Sequence, residues 1–388
     1  MFLDSLNLKL ESFGLDISDL SLKIVKLKKK RGTLKLVSFG ETEIRPGIIE
    51  GGEIKDEEAL SKIIEEAVLK VKGEKLRTKY AICSLPEEKA FLQVIQMPKM
   101  SDEELGKAIR FEAENYIPLP VEKVYLDFQK VKPFSDHLDH TDVLLVALPK
   151  NIVDPYVSCL KKSGLIPLAL EVESQAISRA LVKGEVTPFP ISIIDLGATR
   201  ASFVLFSGYS LHFTSLIYAS FHKITQTLAQ NFNIDFAAAE ELKRKYGLET
   251  GVKIRFRKKP GDVKVEQETI EDKEIFNVMI PSVLELAEQI KNRLNYYQTH
   301  VSHEHLKIGK EDGNLGGVKK ILLCGGGANL KELTHILSLE LKIPVETGNP
   351  WVNILQDPLR EVPEMPYLES LRYATAIGLA LRGVNDNN

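Results

Sequence analysis

Cysteine is scarce in this chain. Cys83, Cys159 and Cys324 are the only three among 388 residues, and each lies in or beside an apolar run. No CxxC occurs, which excludes a disulfide framework and the common zinc-ribbon spacings. A reducing compartment is the expectation that follows. Long hydrophobic runs are also missing: none approaches the ~18 apolar residues a membrane span needs. The first residues, MFLDSLNLKLESF, carry Asp4 and Glu11 and lack the apolar core of a signal peptide. Nor is one sign of charge in excess. Lys and Arg number 51 against 54 Asp and Glu, a net charge of −3, without the basic bias of a nucleic-acid binder. Basic and aromatic residues do not interleave, and no Ser/His/Asp order stands out. What is present is a 44% hydrophobic, 27% charged composition, that of a globular chain able to bury a full core in two to three domains. Its expected place is the cytoplasm.

Hydrophobic periodicity divides the chain into recognisable segments. FGLDIS, LSLKIVKL and TLKLVSF read as strands around the basic turn KKKRG, and residues 56–72 as an amphipathic helix leading into the strand KYAICSL. Residues 89–171 read as a βαββαβ module: AFLQVIQMP, a helix opened by the Ser101/Glu104 capping box, KVYLDFQKV, TDVLLVALP, a helix stopping at Gly164, and LIPLALEVE. ISIIDLGATRASFVLF then repeats a strand, turn and strand. Helices are expected over 221–232 and 235–246, a basic hairpin over 252–270 turning at Pro260-Gly261, and a long helix over 276–300. VKKILLCGGG is a strand running into the helix ANLKELTHILSLELK, and LESLRYATAIGLALRG is the last helix.

Two segments repeat a pattern half a chain apart. GLDISDLSLKIV and IIDLGATRASFV align on Asp16 and Asp195, each an apolar strand, an Asp, an apolar residue, a small residue and a second strand. A tight turn of small residues lets backbone N–H groups approach phosphate oxygens, and a strand-end Asp suits hydrated Mg²⁺. Two similar halves make a natural cleft. Gly325-Gly326-Gly327-Ala328 follows a buried strand, and three glycines allow backbone to lie flat against a base or ribose. In AEELKRKYG, Glu240 and Lys243 share a helix face; the carboxylate suits ribose hydroxyls and the Lys stem could cover a base, though an ordinary i,i+3 ion pair explains them alone. Phe111 projects away from the apolar face of its helix and, with Tyr116, Ile117 and Leu119, is a candidate partner surface. The histidines 300, 303 and 305 in THVSHEH, and 137 and 140 in SDHLDH, read as solvated loops rather than metal ligands. The basic clusters Lys28–Arg31 and Arg255, Arg257, Lys258, Lys259 read as solvated turns, with an anionic membrane surface as the lesser alternative.

Phosphate loop, second phosphate loop and Gly-rich adenosine loop, in that order, resemble the actin-like ATPase superfamily. The segments QMPKMSDEELGKAIRFEAENYIPLPVEKVYLDFQKV, DVLLVALPKNIVDPYVSCLKKSGLIPLALEVESQAISRAL, IKNRLNYYQ, ILLCGGGANLKEL and YATAIGLALRG resemble the PilM family of type IV pilus assembly, from about Phe13 to Gly383. The resemblance implies an α/β, actin-like fold: a duplicated, ribonuclease-H-like, two-lobed architecture with an inserted subdomain. Its parts would be a first lobe core at 13–88 and 172–189, the insert at 89–171, a second lobe at 190–368 and a helix at 369–383 returning to the first lobe. It implies ATP and Mg²⁺ as cofactors, with Asp16, Ser18, Asp19, Ser21 and Lys23 at the first loop and Asp195, Gly197, Ala198 and Thr199 at the second. Glu240, Lys243 and Gly325 to Ala328 would serve the adenosine, and Glu173 is the candidate for positioning water. The implied role is a scaffold peripheral to the inner membrane, at most a weak ATPase. It would bind the N-terminal peptide of a PilN-like protein in a groove beside the insert and link that platform to pilus motor ATPases, with self-association open. A related type II secretion platform, and an ATPase or kinase on the same fold, are the alternatives.

One departure matters. The family's first loop reads like GLDIGSSSVK, whereas here it is GLDISDLSLK, with Ser18 in place of Gly and Asp19 in place of a small hydroxyl residue. A carboxylate ~4 Å from a phosphate charge costs on the order of 4 kcal/mol at an effective dielectric near 20, and Ser18 gives up easy access to positive φ. The expectation is ATP binding that is weakened or absent. Lys23, seven residues after Asp16, is retained.

Overall fold

The computed structural model describes residues 10–30, 32–132, 139–249, 253–255, 269–300, 317–355 and 362–385. The chain forms two compact units, one of Met1–Pro188, Val204–Thr214 and Asn349–Asn388, the other of Phe189–Phe203 and Ser215–Gly348.

The first part of the chain gives β1 (Ser12–Ile17), β2 (Ser21–Lys30), β3 (Thr33–Glu43), the short pair β4 (Ile49–Glu50) and β5 (Glu53–Ile54), α1 (Glu57–Leu69), β6 (Lys72–Gly73) and β7 (Tyr80–Leu85). Next come β8 (Phe91–Pro98), α2 (Asp102–Tyr116), β9 (Val124–Lys130), β10 (His140–Pro149), α3 (Lys150–Lys162), β11 (Ile166–Val172) and α4 (Glu173–Leu181). A six-stranded sheet runs β11-β7-β1-β2-β3-β6. Alternation along β1 sends Phe13, Leu15 and Ile17 to one face, into a core with Leu60 and Ile64 of α1 and Ile152, Tyr156 and Leu160 of α3. Its other face carries Gly14, which lies directly beneath the last helix of the chain.

The insert is smaller than its sequence suggests. A three-stranded sheet, β8-β10-β9, is covered on one face by α2, which buries Leu105, Ile109 and Ala113. The Ser101/Glu104 capping box starts that helix, satisfying two end N–H groups at once. The following α3 and β11 leave the module: β11 pairs in parallel with β7, and α3 packs in the core with α1. The element order over 89–171 is βαββαβ as read, but only its first four elements build the module's own sheet and its covering helix. An apolar αβ pair shows its element types but not which sheet receives it.

The second half contains β12 (Thr187–Leu196), β13 (Ala201–Gly208), β14 (Ser210–Ile217), α5 (Phe221–Phe232), α6 (Phe236–Tyr246), β15 (Lys253–Arg255), β16 (Thr269–Glu271) and α7 (Asp272–His300). It continues with β17 (Lys320–Cys324), α8 (Leu333–Leu341) and β18 (Val345–Thr347), and the chain ends with α9 (Tyr367–Ser370) and α10 (Ala374–Asn385). A five-stranded sheet runs β14-β13-β12-β17-β18. This order repeats that of β3-β2-β1-β7-β11, so the duplication seen in the two Asp-containing segments extends to whole sheets. In the basic hairpin, β15 and β16 pair antiparallel; its tip, with Arg257, Lys258, Lys259 and Pro260-Gly261, lies outside the described residues. So do Arg31, His137, His303 and His305, and the side chain of His300. Lys28 pairs with Glu74 at 3.0 Å.

Residues from Asn349 onward belong to the first unit, and α10 packs on β1 and α4 there. Among the described residues no helix is long and apolar enough to cross a membrane.

Candidate ligand loops and partner groove

The first loop is a tight β1–β2 hairpin. Ile17 and Leu22 form its last strand pair, and the Ser18 N–H donates to the Ser21 carbonyl at 2.9 Å. Ser18 Oγ donates to the same carbonyl at 3.0 Å and lies 3.0 Å from Ser21 Oγ. Among the described residues Ser18 is not one of the non-glycines with positive φ, so the serine closes this turn without backbone strain. The expected cost of losing Gly at 18 is thereby removed. Asp16 faces Lys23 across the hairpin, their charged atoms 3.9 Å apart, and Lys23 Nζ donates to Ser21 Oγ at 2.7 Å. Ser84, at the end of β7, donates to Asp16 Oδ1 at 3.0 Å and accepts the Ile17 N–H at 2.9 Å. Sequence reading missed Ser84; a hydroxyl closing the apolar strand KYAICSL was its one visible signal.

Asp19 is buried, and its Oδ1 accepts the Gly52 N–H at 3.0 Å. Gly52 has φ +72°, and a Cβ there would lie 2.5 Å from Glu88 Oε1 and from Pro86 Cβ. The Gly52 carbonyl in turn accepts from the Tyr156 hydroxyl at 3.0 Å. Burial pushes that hydroxyl well above the usual tyrosine range, and the neighbouring Cys83, Glu173, Asp19 and Glu88 push it the same way, so Tyr156 remains a donor. Glu173 is the first residue of α4 and is buried; the next residue, Ser174, donates its N–H to Glu87 Oε2 at 3.1 Å.

In the other half, Asp195 lies opposite Cys324 in the β12/β17 pair, and the thiol donates to Asp195 Oδ1 at 3.6 Å. The three glycines after Cys324 differ in what they do. Gly325 has φ +80°, and a Cβ on it would meet Asp195 Oδ1 at 2.4 Å; a Cβ on Gly327 would lie 2.8 Å from the Phe221 ring. Gly326 alone of the three faces open space, and Ala328 beside them is buried. Gly197 is needed for close approach, since its Cβ would lie 2.7 Å from the Arg200 carbonyl oxygen. The exposed Ala198 gives its carbonyl to Ser220 Oγ and the His222 N–H, both at 3.0 Å, and Thr199 is exposed.

Lys243 is engaged within the fold. Its ammonium is buried, 2.6 Å from Glu240 Oε2, and donates to Thr225 Oγ1 at 2.6 Å and to the Phe221 carbonyl at 3.1 Å. Burial lowers its pKa, and the Glu240 bond opposes that shift. The ammonium's contacts brace α6 against α5; Glu240 keeps part of its surface exposed.

These residues fit ATP and Mg²⁺ half by half. Asp16 and Asp195 are single carboxylates at strand ends, which suit a hydrated ion; among the described residues no cluster of three His, Cys, Asp or Glu is arranged to hold a metal directly. The Lys23 ammonium and the backbone N–H groups of the Gly197–Thr199 turn are of the chemical type that would bind phosphate. Asp19 is engaged by a neighbouring N–H, which reduces the penalty its carboxylate suggests. The Asp19→Ser variant should therefore lose about 1–2 kcal/mol of stability in urea, through the stranded Gly52 N–H. Its ATP affinity, titrated calorimetrically, should rise by less than about tenfold, far from the near-thousandfold gain expected if the carboxylate lay against a phosphate.

A separate cavity of 720 Å³ lies on the face of β8-β10-β9 that α2 leaves uncovered. Leu144, Val146 and Leu148 of β10 face it across from Val153 and Val157 of α3. Glu171 forms its floor: Arg179 holds that carboxylate through two bonds of 2.5 and 3.1 Å, and Arg382 adds a third at 2.7 Å. None of the four residues expected to bind a partner lines this cavity. Phe111 is 77% exposed on the solvent side of α2, Tyr116 and Leu119 are partly exposed, and Ile117 is buried in the module core. Ile117 is corrected to a core residue: it ends α2 and packs inward with Ala113.

The repeated sheet order, each sheet carrying an Asp at a strand end just before its loop, defines an actin-like protein. MreB5 of Spiroplasma citri bound to ADP shares that fold at a TM-score of 0.56 and 12% identity, covering 97% of both chains. EutJ of Carboxydothermus hydrogenoformans does so at 0.53 and 13%, covering 95% of this chain and 88% of that one. Residues 14–256 match the family model of the type IV pilus assembly protein PilM, and the chain belongs to that family. It is similar to the structure of a PilM–PilN type IV pilus biogenesis complex at a TM-score of 0.73 and 28% identity, covering 97% of this chain and 99% of that one. Residues 192–378 also match the cell division protein FtsA model. FtsA of Buchnera aphidicola is 23% identical over 211 residues, 53% of this chain, and FtsA of Helicobacter pylori is 25% identical over 103 residues, 26% of it. The chain spans only 47% and 21% of those relatives.

Proposed function

We propose that the protein is a cytoplasmic scaffold of type IV pilus assembly, which holds the N-terminal peptide of a PilN-like membrane protein in the cavity floored by Glu171. ATP with Mg²⁺ is the ligand of its phosphate loops, and pilus motor ATPases are the onward partners. One observation carries the reading: a 720 Å³ groove, in which Leu144, Val146 and Leu148 face Val153 and Val157 above charged Glu171, Arg179 and Arg382, lies between the inserted sheet and the six-stranded sheet. Similarity along nearly its whole length to a protein solved with PilN supports the choice of occupant. The scaffold is favoured over catalysis because Glu173 is buried at a helix start beside Tyr156.

The test is calorimetric titration with a synthetic peptide of the PilN N-terminal segment. Val157→Asp puts a charge on the half-buried groove wall without touching either loop. Wild-type protein should bind, and the variant should bind at least about thirtyfold more weakly with an unchanged circular dichroism spectrum, as expected for a charge set into the aliphatic stretch of the wall. Equal affinity in both proteins would remove the peptide from this groove.

A further inference from the structure

We infer that the groove takes its occupant as an added β-strand, hydrogen-bonded to the free edge of β9. The inference rests on the partner reading above and specifies the chemistry by which that partner is recognised: main chain first, with side chains alternating.

The wall residues themselves indicate an edge. A strand that shows a face to a cavity contributes every second residue, as β10 does with Leu144, Val146 and Leu148. By contrast, β9 contributes five in succession, Tyr125 to Gln129. Such a run lines a cavity only when the side of the strand, its backbone, is turned toward it. In the sheet order β8-β10-β9 this side is the one away from β10, and among the described residues β9 pairs with no other strand.

The phase of the backbone follows from three agreeing facts. The Val131 N–H donates inward, to the Asp142 carbonyl. Val124 lies opposite Pro149, which has no N–H to exchange. The Phe128 N–H donates to Asp127 Oδ1 at 2.9 Å instead of entering the ladder. Odd-numbered residues therefore bond to β10, and Leu126 and Phe128 turn their amide groups outward into the groove. The Asp127 carboxylate covers one of those amides, a common way of blunting an edge against unwanted pairing. Tyr125 closes one end of the edge, its hydroxyl donating to Asp154 at 2.8 Å.

The register also states what the added strand must look like. Tyr125, Asp127 and Gln129 lie opposite Leu148, Val146 and Leu144, on the groove face. Side chains of an added strand beside those three would point at Val153, Val157 and Val172. The partner is thus an extended segment with apolar residues at i, i+2 and i+4, its intervening side chains less constrained.

The test uses the synthetic PilN N-terminal peptide and the full chain. Amide exchange is followed by nuclear magnetic resonance at Leu126 and Phe128, and peptides N-methylated at single successive residues are titrated. Slower exchange at both amides, with about tenfold weaker binding for N-methylation at alternate peptide positions, supports strand addition. Binding that leaves both amides unprotected and tolerates every N-methyl group overturns strand addition and leaves the partner reading intact. Absence of binding by the unmodified peptide overturns both.

Discussion

Gly378→Val should leave the first unit unable to fold. A Cβ at this position would lie 1.8 Å from the Ala176 carbonyl oxygen and 2.4 Å from its carbon, both backbone atoms of α4. No rotamer change relieves such a contact, so α10 would have to move off α4. The same helix is held against β1 by Gly14, whose Cβ would lie 2.3 Å from the Ala376 carbonyl oxygen. A shift that clears one contact disturbs the other, and with it the buried Ile377, Leu379 and Ala380. Ordinary overpacking costs about 1–3 kcal/mol because side chains can yield. Here backbone must yield on two sides, and a loss above about 4 kcal/mol is expected, a large part of typical domain stability. Gly326→Ala is the matched control: nothing lies within 4 Å of its added Cβ, and it should stay within about 0.5 kcal/mol. Urea denaturation of the two variants beside wild type checks both; a cooperative, near-wild-type transition for Gly378→Val would refute the packing.

Glu171→Ala is the second large effect expected. The side chain is 2% exposed and bridges two guanidinium groups, Arg179 at 17% and Arg382 at 30% exposure. Breaking a buried pair costs about 3–5 kcal/mol because the partner is stranded. Arg382 reaches water and can turn outward, so a loss of about 2–3 kcal/mol is the expected outcome. Arg179 has less freedom, since it also donates to the Gly378 carbonyl at 3.1 Å. Glu66→Ala, which breaks an exposed i,i+4 pair with Lys70, should cost less than about 0.5 kcal/mol. Chemical denaturation separates the two. Peptide titration of Glu171→Ala at a temperature where it remains folded should also show weaker binding, since the groove loses its floor.

Much of the architecture was legible in residue order. Alternation gave the strands, the capping box gave the start of α2, and the repeated Asp-loop segment gave the duplication now seen in two sheets of matching order. The misses share one cause, contact between residues far apart in the chain. Ser84 meets Asp16 across 68 positions, and Tyr156 meets Gly52 across 104. Nothing periodic marks such pairs. Which residues line the groove was not legible for a related reason: exposure of Phe111 can be read from a helix wheel, but whether β9 is an edge or a central strand depends on which strands flank it. Lys243 was assigned by spacing alone, which shows that it shares a face with Glu240 but not that this face is turned inward against Thr225. Asp19 read as a threat to the first loop because its hydrogen-bond donor, Gly52, is thirty-three residues away.

The residues around that first loop are also neighbours of the groove along the chain. Ser84, which bonds Asp16, is followed at once by the groove residue Leu85. Tyr156, bonded to the turn that holds Asp19, lies between Val153 and Val157 of the groove wall, and Glu173 follows groove-lining Val172. Three separate segments thus carry one end in each site. Any pair of ligands that displaced these segments would be thermodynamically linked, and by reciprocity the free energy with which one alters the other's affinity would be the same in both directions.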